Sequence, residues 1–230
     1  NGANGAYLSN YFGTGSVTIT STHPELSWNN TFSSNQGSGL ELYTNGIITL
    51  NRVWAFSNID QGIFAYNADA VSLRTVTISN SMAYFNQSNG IQVYGSGQIT
   101  LNNVKAGYNS ANGITLINYA SQGITILNGI FNANGASGAY ILTPANVLMN
   151  HIEAGNNTGY GVVIGERPDA IVTEAAGSVT LLNTLGMNWF TGNGYDGLQV
   201  NASAAVTLTG VNALYNKGDG VDIITTGVVT

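Results

Sequence analysis

The spacing Asn-x-x-x-Gly, followed by an apolar residue, recurs nine times along the chain of 230 residues. A short strand that alternates apolar and polar residues comes after most of these glycines, as in Leu40-Glu41-Leu42. A second alternating strand begins a few residues later, as in Ile124-Thr125-Ile126. A period of two residues indicates strands with one face in the core and one face in solvent.

Two or three short strands per repeat of about 22 to 32 residues are typical of one coil of a β-solenoid. Glycine and asparagine interrupt every window in which an amphipathic helix could form, so a helical fold is excluded. The repeat is also shorter than a propeller blade of about 40 residues. We therefore predict an all-β chain in which about nine coils stack into one domain over residues 1–230.

The repeated asparagine and glycine are expected to have structural roles. A buried asparagine at a bend can bond to its own turn and to the asparagine of the next coil. The glycine is expected to let the chain turn sharply into the next strand. The predicted ladder comprises Asn35, Asn58, Asn86, Asn109, Asn134, Asn157, Asn193 and Asn216, and the turn glycines are Gly39, Gly62, Gly90, Gly113, Gly138, Gly161, Gly197 and Gly220.

This pattern resembles the right-handed parallel β-helix repeat proteins of the pectate-lyase-like superfamily, over essentially all of the sequence. The resemblance implies a right-handed parallel β-helix. It leaves the activity open, because that fold is shared by lyases, hydrolases, adhesins and phage fibres.

Composition excludes several classes of partner. Charged residues make up 7% of the chain and its net charge is −6, with no basic patch, so we expect no nucleic-acid partner. No apolar run approaches the roughly 18 residues that span a bilayer, so no membrane insertion is expected. The absence of cysteine excludes disulfides and thiolate metal sites. Because the chain starts at Asn1 without a signal peptide, we expect a mature form or a fragment.

Motifs that mark the hydrolase branch of the resembling superfamily are missing: the sequence has no Asn-Thr-Asp, Asp-Asp, Gly-His-Gly or Arg-Ile-Lys. His23 and His151 should lie several coils apart and cannot share a site. We therefore expect no catalytic residues, no required cofactor and no cleavage of uronic-acid polymers, which together predict that the chain is not an enzyme.

Two features are candidates for ligand binding. The first is the long link after Gly165, whose charged residues are Glu166, Arg167, Asp169 and Glu174. The second is the pair Asp196 and Asp219, which should stack on neighbouring coils and form a weak candidate site for Ca²⁺. A solvated loop and two solvated carboxylates are the alternatives.

A column of threonines is also expected on one outer face. Its members are Thr18, Thr49, Thr77, Thr100, Thr125, Thr180 and Thr207. Regular threonine arrays on flat solenoids can bind ice, although threonine also simply suits an exposed strand.

The main functional hypothesis is a secreted extracellular or cell-surface solenoid that forms a rigid fibre, stalk or filament segment. Neither end shows a cap, so the expected partner is another copy placed head-to-tail or neighbouring repeats of a longer array. The alternative is a carbohydrate-active enzyme or sugar-binding module with a polysaccharide partner. An ice-binding or receptor-binding fibre is the third hypothesis.

Overall fold

The computed structural model describes residues 1–21, 29–68, 73–165 and 175–230. These residues form twenty-two strands and no α-helix. Nine of the strands build sheet A, in which all neighbours pair in parallel. In spatial order they are β1 (Ala6–Asn10), β4 (Leu40–Thr44), β7 (Ile63–Tyr66), β10 (Ile91–Gly95), β12 (Ile114–Asn118), β14 (Ala139–Leu142), β16 (Val162–Ile164), β19 (Leu198–Ala202) and β22 (Val221–Thr225).

Sheet B contains the other thirteen strands and is bent along its length into two faces. Face B1 comprises β2 (Val17–Ile19), β5 (Ile48–Asn51), β8 (Val76–Ser79), β17 (Val179–Leu182) and β20 (Val206–Leu208). Face B2 comprises β3 (Asn30–Ser33), β6 (Val53–Phe56), β9 (Met82–Tyr84), β18 (Asn188–Thr191) and β21 (Val211–Leu214). Three longer strands contribute to both faces: β11 (Ile99–Gly107), β13 (Ile124–Asn132) and β15 (Val147–Gly155).

The core is a set of inward columns, one residue from each coil. Alternation along a strand such as β10 places Ile91 and Val93 inside at 0% exposure and turns the residues between them outward. Parallel register then stacks Ile91 on Ile63 and on Ile114, so like residues meet from coil to coil. Each fully buried aliphatic side chain of this kind contributes about 1.5–3 kcal/mol.

Sharp bends between the strands use residues in the left-handed region of φ. One column of such residues lies at the bend between faces B1 and B2: Arg52, Asn80, Asn103, Asn128 and His151. A second column lies directly before the repeated asparagines: Ser34, Ser57, Phe85, Tyr108, Ala133, Asn156 and Tyr215. Most residues adopt this region only at a cost in free energy, so the stacked coils on either side must impose it.

The predicted asparagine ladder is confirmed. The Asn109 side-chain amide donates to Asn134 Oδ1 at 3.1 Å and to the Ala83 carbonyl at 3.0 Å. The Asn109 backbone N–H donates to the same Asn134 oxygen at 3.1 Å. The same pattern links the asparagines from Asn35 to Asn216, and Asn1 joins it by donating to Asn35. Each ladder asparagine therefore satisfies backbone groups that the bend removes from the sheets.

The reason for the repeated glycine differs from the one that the sequence suggested. Gly113 is not in the left-handed region of φ, so it is not needed for a sharp turn. A Cβ at this position would lie 2.5 Å from the Gly138 carbonyl oxygen and 2.7 Å from the ladder amide of Asn134. The glycine is required because neighbouring coils and the ladder approach the backbone too closely for any side chain.

The parallel β-solenoid is confirmed, with a small difference in the number of coils. Among the described residues, sheet A has nine strands and faces B1 and B2 have eight each, and β22 is followed on face B1 only by an isolated bridge between Val229 and Val206. The threonine column also forms as predicted, because Thr49, Thr77 and Thr100 are register partners on face B1. Head-to-tail association of copies stays a prediction.

Candidate functional site

Six aromatic rings form a continuous strip on the outer surface of sheet A, across four consecutive coils. We call this set the aromatic strip: Tyr7, Tyr11, Tyr43, Phe64, Tyr66 and Tyr94. Ring centroids along it lie 5.8 Å apart for Tyr7 and Tyr43, for Tyr43 and Tyr66, and for Tyr66 and Tyr94. Phe64 fills the space beside Tyr43 at 5.5 Å and beside Tyr94 at 5.9 Å.

Strand alternation and register together produce this strip. In β4, Leu40 and Leu42 point into the core, so Glu41 and Tyr43 point outward. The parallel register then places Tyr43 beside Tyr66, which in turn lies beside Tyr94. The spacing of one coil per ring follows from the distance of about 4.8 Å between neighbouring strands.

A carboxylate lies within the aromatic strip. The Tyr43 hydroxyl donates to Glu41 Oε1 at 2.8 Å, and the side-chain amide of Asn4 donates to Glu41 Oε2. Burial raises the pKa of Tyr43 to about 12, and the hydrogen bond and negative charge of Glu41 add to this shift. Tyr43 is therefore an uncharged donor at neutral pH, and Glu41 keeps lone pairs that can accept further hydrogen bonds.

The far end of the strip has a second polar group at the corresponding position. Gln92 is two strands away from Glu41 in the same outward column. Its amide donates to the Tyr94 hydroxyl at 2.9 Å, and its carbonyl oxygen accepts from the Asn89 amide at 2.9 Å. The strip thus combines ring surfaces with two fixed polar groups, as ligand sites commonly do.

The raised pKa of Tyr43 predicts a defined effect of alkaline pH. Between pH 10 and 12 the unfolded chain loses the Tyr43 proton while the folded chain retains it. This contribution to stability is fully present below pH 10 and is lost as the pH rises through about 12. We expect the free energy of unfolding of Tyr43→Phe to fall less steeply over this interval than that of the unchanged protein.

The measurement is chemical unfolding at several alkaline pH values, together with the absorbance of tyrosinate in the folded chain. Glu41→Gln should shift the last tyrosine titration toward lower pH, because the hydrogen-bonded anion is removed. Tyr215→Phe changes an exposed tyrosine outside the strip and is the matched control. Equal slopes for the unchanged protein, Tyr43→Phe and Tyr215→Phe would contradict the assignment.

The predicted ligand loop lies outside the described residues, which include none of Glu166, Arg167, Asp169 and Glu174. The predicted stacking of Asp196 and Asp219 does occur, since Asp196 Oδ1 accepts a hydrogen bond from the Asp219 backbone N–H at 2.7 Å.

Asparagines make the same bond on earlier coils, where Asn89 Oδ1 accepts from the Asn112 backbone and Asn112 Oδ1 from the Ser137 backbone. Asp196 therefore takes the place of an asparagine in a second, outer ladder.

For the part of the chain that the structure describes, the weak Ca²⁺ candidate formed by Asp196 and Asp219 stays a prediction. Within that part, no three residues among histidine, aspartate and glutamate are grouped closely enough to hold a metal ion. Across the same residues, no helix has the length and hydropathy needed to cross a bilayer. His151 Nδ1 is paired with Asn128 Oδ1 at 3.0 Å, at the bend of sheet B and not on the aromatic strip.

The aromatic strip is not among the sites predicted from the sequence, although the sequence carries a signal for it. Tyr43, Tyr66 and Tyr94 each stand three residues after the first apolar residue of a strand of sheet A. Recognising them as one surface requires the register between coils of unequal length, which the repeat alone leaves open.

The profile of the family described as right handed beta helix region matches residues 61–230 of this chain. Among curated proteins, no sequence matches this chain significantly.

Solved structures with a similar architecture include the periplasmic alginate epimerase AlgG, in a double-mutant form. It shares 13% identity with this chain at a TM-score of 0.54, over 87% of this chain and 44% of that one. A second is the A-module of the mannuronan C-5 epimerase AlgE4 from Azotobacter vinelandii, with 14% identity and a TM-score of 0.41 over 86% of this chain and 62% of that one. This chain spans less than half of the first structure.

These comparisons correct the prediction that the chain is not an enzyme. That prediction is wrong as a conclusion from missing motifs, because the solved structure with a TM-score of 0.54 is an epimerase with a similar architecture. It depended on missing motifs of the hydrolase branch, and an enzyme of another type on the same fold does not need those motifs. The comparisons give no support to the hypothesis of a structural fibre.

Proposed function

We propose that this chain, which belongs to the right-handed β-helix family, is a carbohydrate-active protein that binds a polysaccharide along the aromatic strip. One observation is the main support for this proposal. The rings from Tyr7 to Tyr94 are in continuous contact across four coils, with Tyr7 and Tyr11 exposed and the other four rings half-buried.

An open aromatic surface of this kind suits a sugar polymer. The apolar face of a pyranose packs on a ring, while hydroxyl groups at the ring edge need hydrogen-bonding partners. The strip supplies both the ring surface and the hydrogen-bonding partners. Glu41 can accept and the amide of Gln92 can donate, and the two residues lie in the same outward column. Ring centroids 5.8 Å apart also repeat on the scale of one sugar unit, so successive units can meet successive rings.

The direction of the polymer follows from the same geometry. Tyr43, Tyr66 and Tyr94 succeed one another across the strands, along the axis of the solenoid. A polymer bound to them would lie parallel to that axis. Its length of contact would be set by the four coils of the strip.

The first experiment is affinity electrophoresis in gels that contain neutral glucans, alginate or polygalacturonate. We expect retardation by at least one polymer and about a tenfold loss of affinity in the double variant Tyr43→Ala/Tyr66→Ala, since aromatic anchors dominate binding of this kind. Tyr215→Ala removes an exposed tyrosine on another face and should leave binding unchanged. Circular dichroism of each variant checks that the fold is retained.

The second experiment asks whether a bound polymer is chemically altered. Proton NMR spectra of the polymer before and after incubation report changed sugar configuration, new chain ends or unsaturated products. We expect one of these changes with the polymer that binds, and its loss in Glu41→Gln. Absence of binding to every polymer, or binding that the double variant leaves intact, would contradict the proposed function.

As part of the same proposal, we place the action of this chain outside the cytoplasm. The solved structure with the higher TM-score is that of a periplasmic protein, which is in keeping with this location. Detection of the chain in cell fractions with a specific antibody would test it.

A further inference from the structure

A separate cavity lies on face B2, on a different side of the solenoid from the aromatic strip. Its volume is about 300 Å³ and it is shallow and open. Three consecutive coils line it, with the side chains of Asn132, Glu153, Asn156, Trp189 and Thr191 around the backbone of Gly155.

The cavity exists because one side chain is missing from an outward column. Asn132, Gly155 and Thr191 occupy equivalent positions on successive coils, and only the middle one is glycine. Gly155 has no left-handed φ, so its backbone does not require glycine. A Cβ there would lie 3.1 Å from Thr191 Oγ1 and 3.5 Å from Asn132 Oδ1, inside the cavity.

Several hydrogen-bonding groups face this space and are not used within the described residues. Asn132 Oδ1 accepts from the Gly155 backbone at 2.7 Å, which fixes that side chain and leaves its amide hydrogens available. Glu153, Asn156 and Thr191 have no side-chain hydrogen bond to the part of the chain that the structure describes. Trp189 is 41% exposed and forms the aromatic wall, on the strand next to Glu153.

We infer that this cavity binds a single neutral pyranose unit, such as the end or a branch of a glycan. The exposed indole offers a surface for the apolar face of one sugar ring. The carboxylate of Glu153, two amides and a hydroxyl lie around it and can bond to sugar hydroxyls, and 300 Å³ accommodates about one ring.

The charge of the cavity selects against uronic acids. Glu153 is the only charged residue among the described residues that line the cavity. The nearest cation in the same column is Lys105, whose backbone lies two coils away, roughly 10 Å from that of Glu153 at twice the strand spacing, and Glu153 forms no ion pair with the described residues. An anionic sugar would therefore meet an unneutralised carboxylate at close range.

The test is a fluorescence titration of the variant Trp28→Phe/Trp54→Phe, which leaves Trp189 as the one tryptophan of the three in the chain. The probes are methyl glucoside, methyl galactoside, methyl mannoside, methyl glucuronide and glucosamine. We expect saturable quenching by at least one neutral glycoside, with about tenfold weaker binding of the glucuronide. Gly155→Thr should weaken the neutral sugar about tenfold or more, because it restores the missing side chain.

Matched variants separate this site from the aromatic strip and from a cation site. Tyr43→Ala/Tyr66→Ala in the same background should leave the quenching unchanged, so failure of the proposed function at the strip would not affect this result. Stronger binding of glucosamine than of every neutral sugar, lost in Glu153→Gln, would overturn the inference in favour of a cation site. Quenching that survives Gly155→Thr, or no quenching by any neutral glycoside, would also overturn it.

Discussion

Replacing Gly113 by alanine is expected to destabilise the β-helix by about 3 kcal/mol, at the upper end of the cost of overpacking. The added Cβ would lie 2.5 Å from the Gly138 carbonyl oxygen and 2.7 Å from Asn134 Nδ2. Both neighbours are held by the stacking of the next coil, because the amide of Asn134 also donates to Asn157 and to the Ala106 carbonyl. The clash therefore cannot be relieved by a single side-chain rotation.

Thermal and urea unfolding followed by circular dichroism measure this effect. Gly2→Ala is the control, since a Cβ there meets nothing within 4 Å and the free energy of unfolding should change little. If Gly113→Ala unfolds like the unchanged protein, the close approach of neighbouring coils does not restrict this position to glycine.

The fold could be predicted because its two recurring residues reflect contacts between coils. Asn109 and Gly113 recur at a fixed spacing because each must meet its counterpart in the next coil, through an amide bond and through a backbone contact. Such constraints repeat with the coil and are visible in a single sequence. The alternation of apolar residues in strands such as β12 likewise indicates which face of the strand points into the core.

The bends before the ladder asparagines were harder to predict, because the residues there share no common preference for this conformation. Tyr108 and Ala133 occupy equivalent positions before ladder asparagines, and both have φ values near 60°. Glycine or asparagine would be the expected residues there. Stacking of complete coils imposes this conformation, so the positive φ values cannot be predicted from the local sequence.

The candidate sites could be predicted only in part, since they depend on which residues are missing from a column and not on a motif. The cavity of face B2 depends on Gly155 between Asn132 and Thr191. The chain has 30 glycines, so a single glycine in the sequence does not indicate a cavity. The aromatic strip depends on the register that brings Tyr43 beside Tyr66. Both require the pairing of coils whose lengths differ.

One inward column of face B2 alternates between small and large residues. Ala106, Phe131, Ala154 and Phe190 follow one another as register partners, and all are fully buried. Gly129 leaves room for the ring of Phe131, since a Cβ on Gly129 would lie 2.6 Å from Phe131 Cζ. The coil below has Val104 and Ala106 at the two corresponding positions. The pair Gly129 and Phe131 and the pair Val104 and Ala106 therefore fill equivalent layers of the core with similar total volume.

This exchange predicts a strong coupling between Gly129 and Phe131. Phe131→Ala should cost about 3–5 kcal/mol, because it leaves a cavity in a layer that is otherwise closely packed. Gly129→Val alone should cost about 1–3 kcal/mol through its clash with the ring. The double variant recreates the Val-x-Ala arrangement of Val104 and Ala106, and we expect it to be more stable than Phe131→Ala. A double-mutant cycle from urea unfolding measures the coupling, and costs that simply add would show that the two side chains do not share one space.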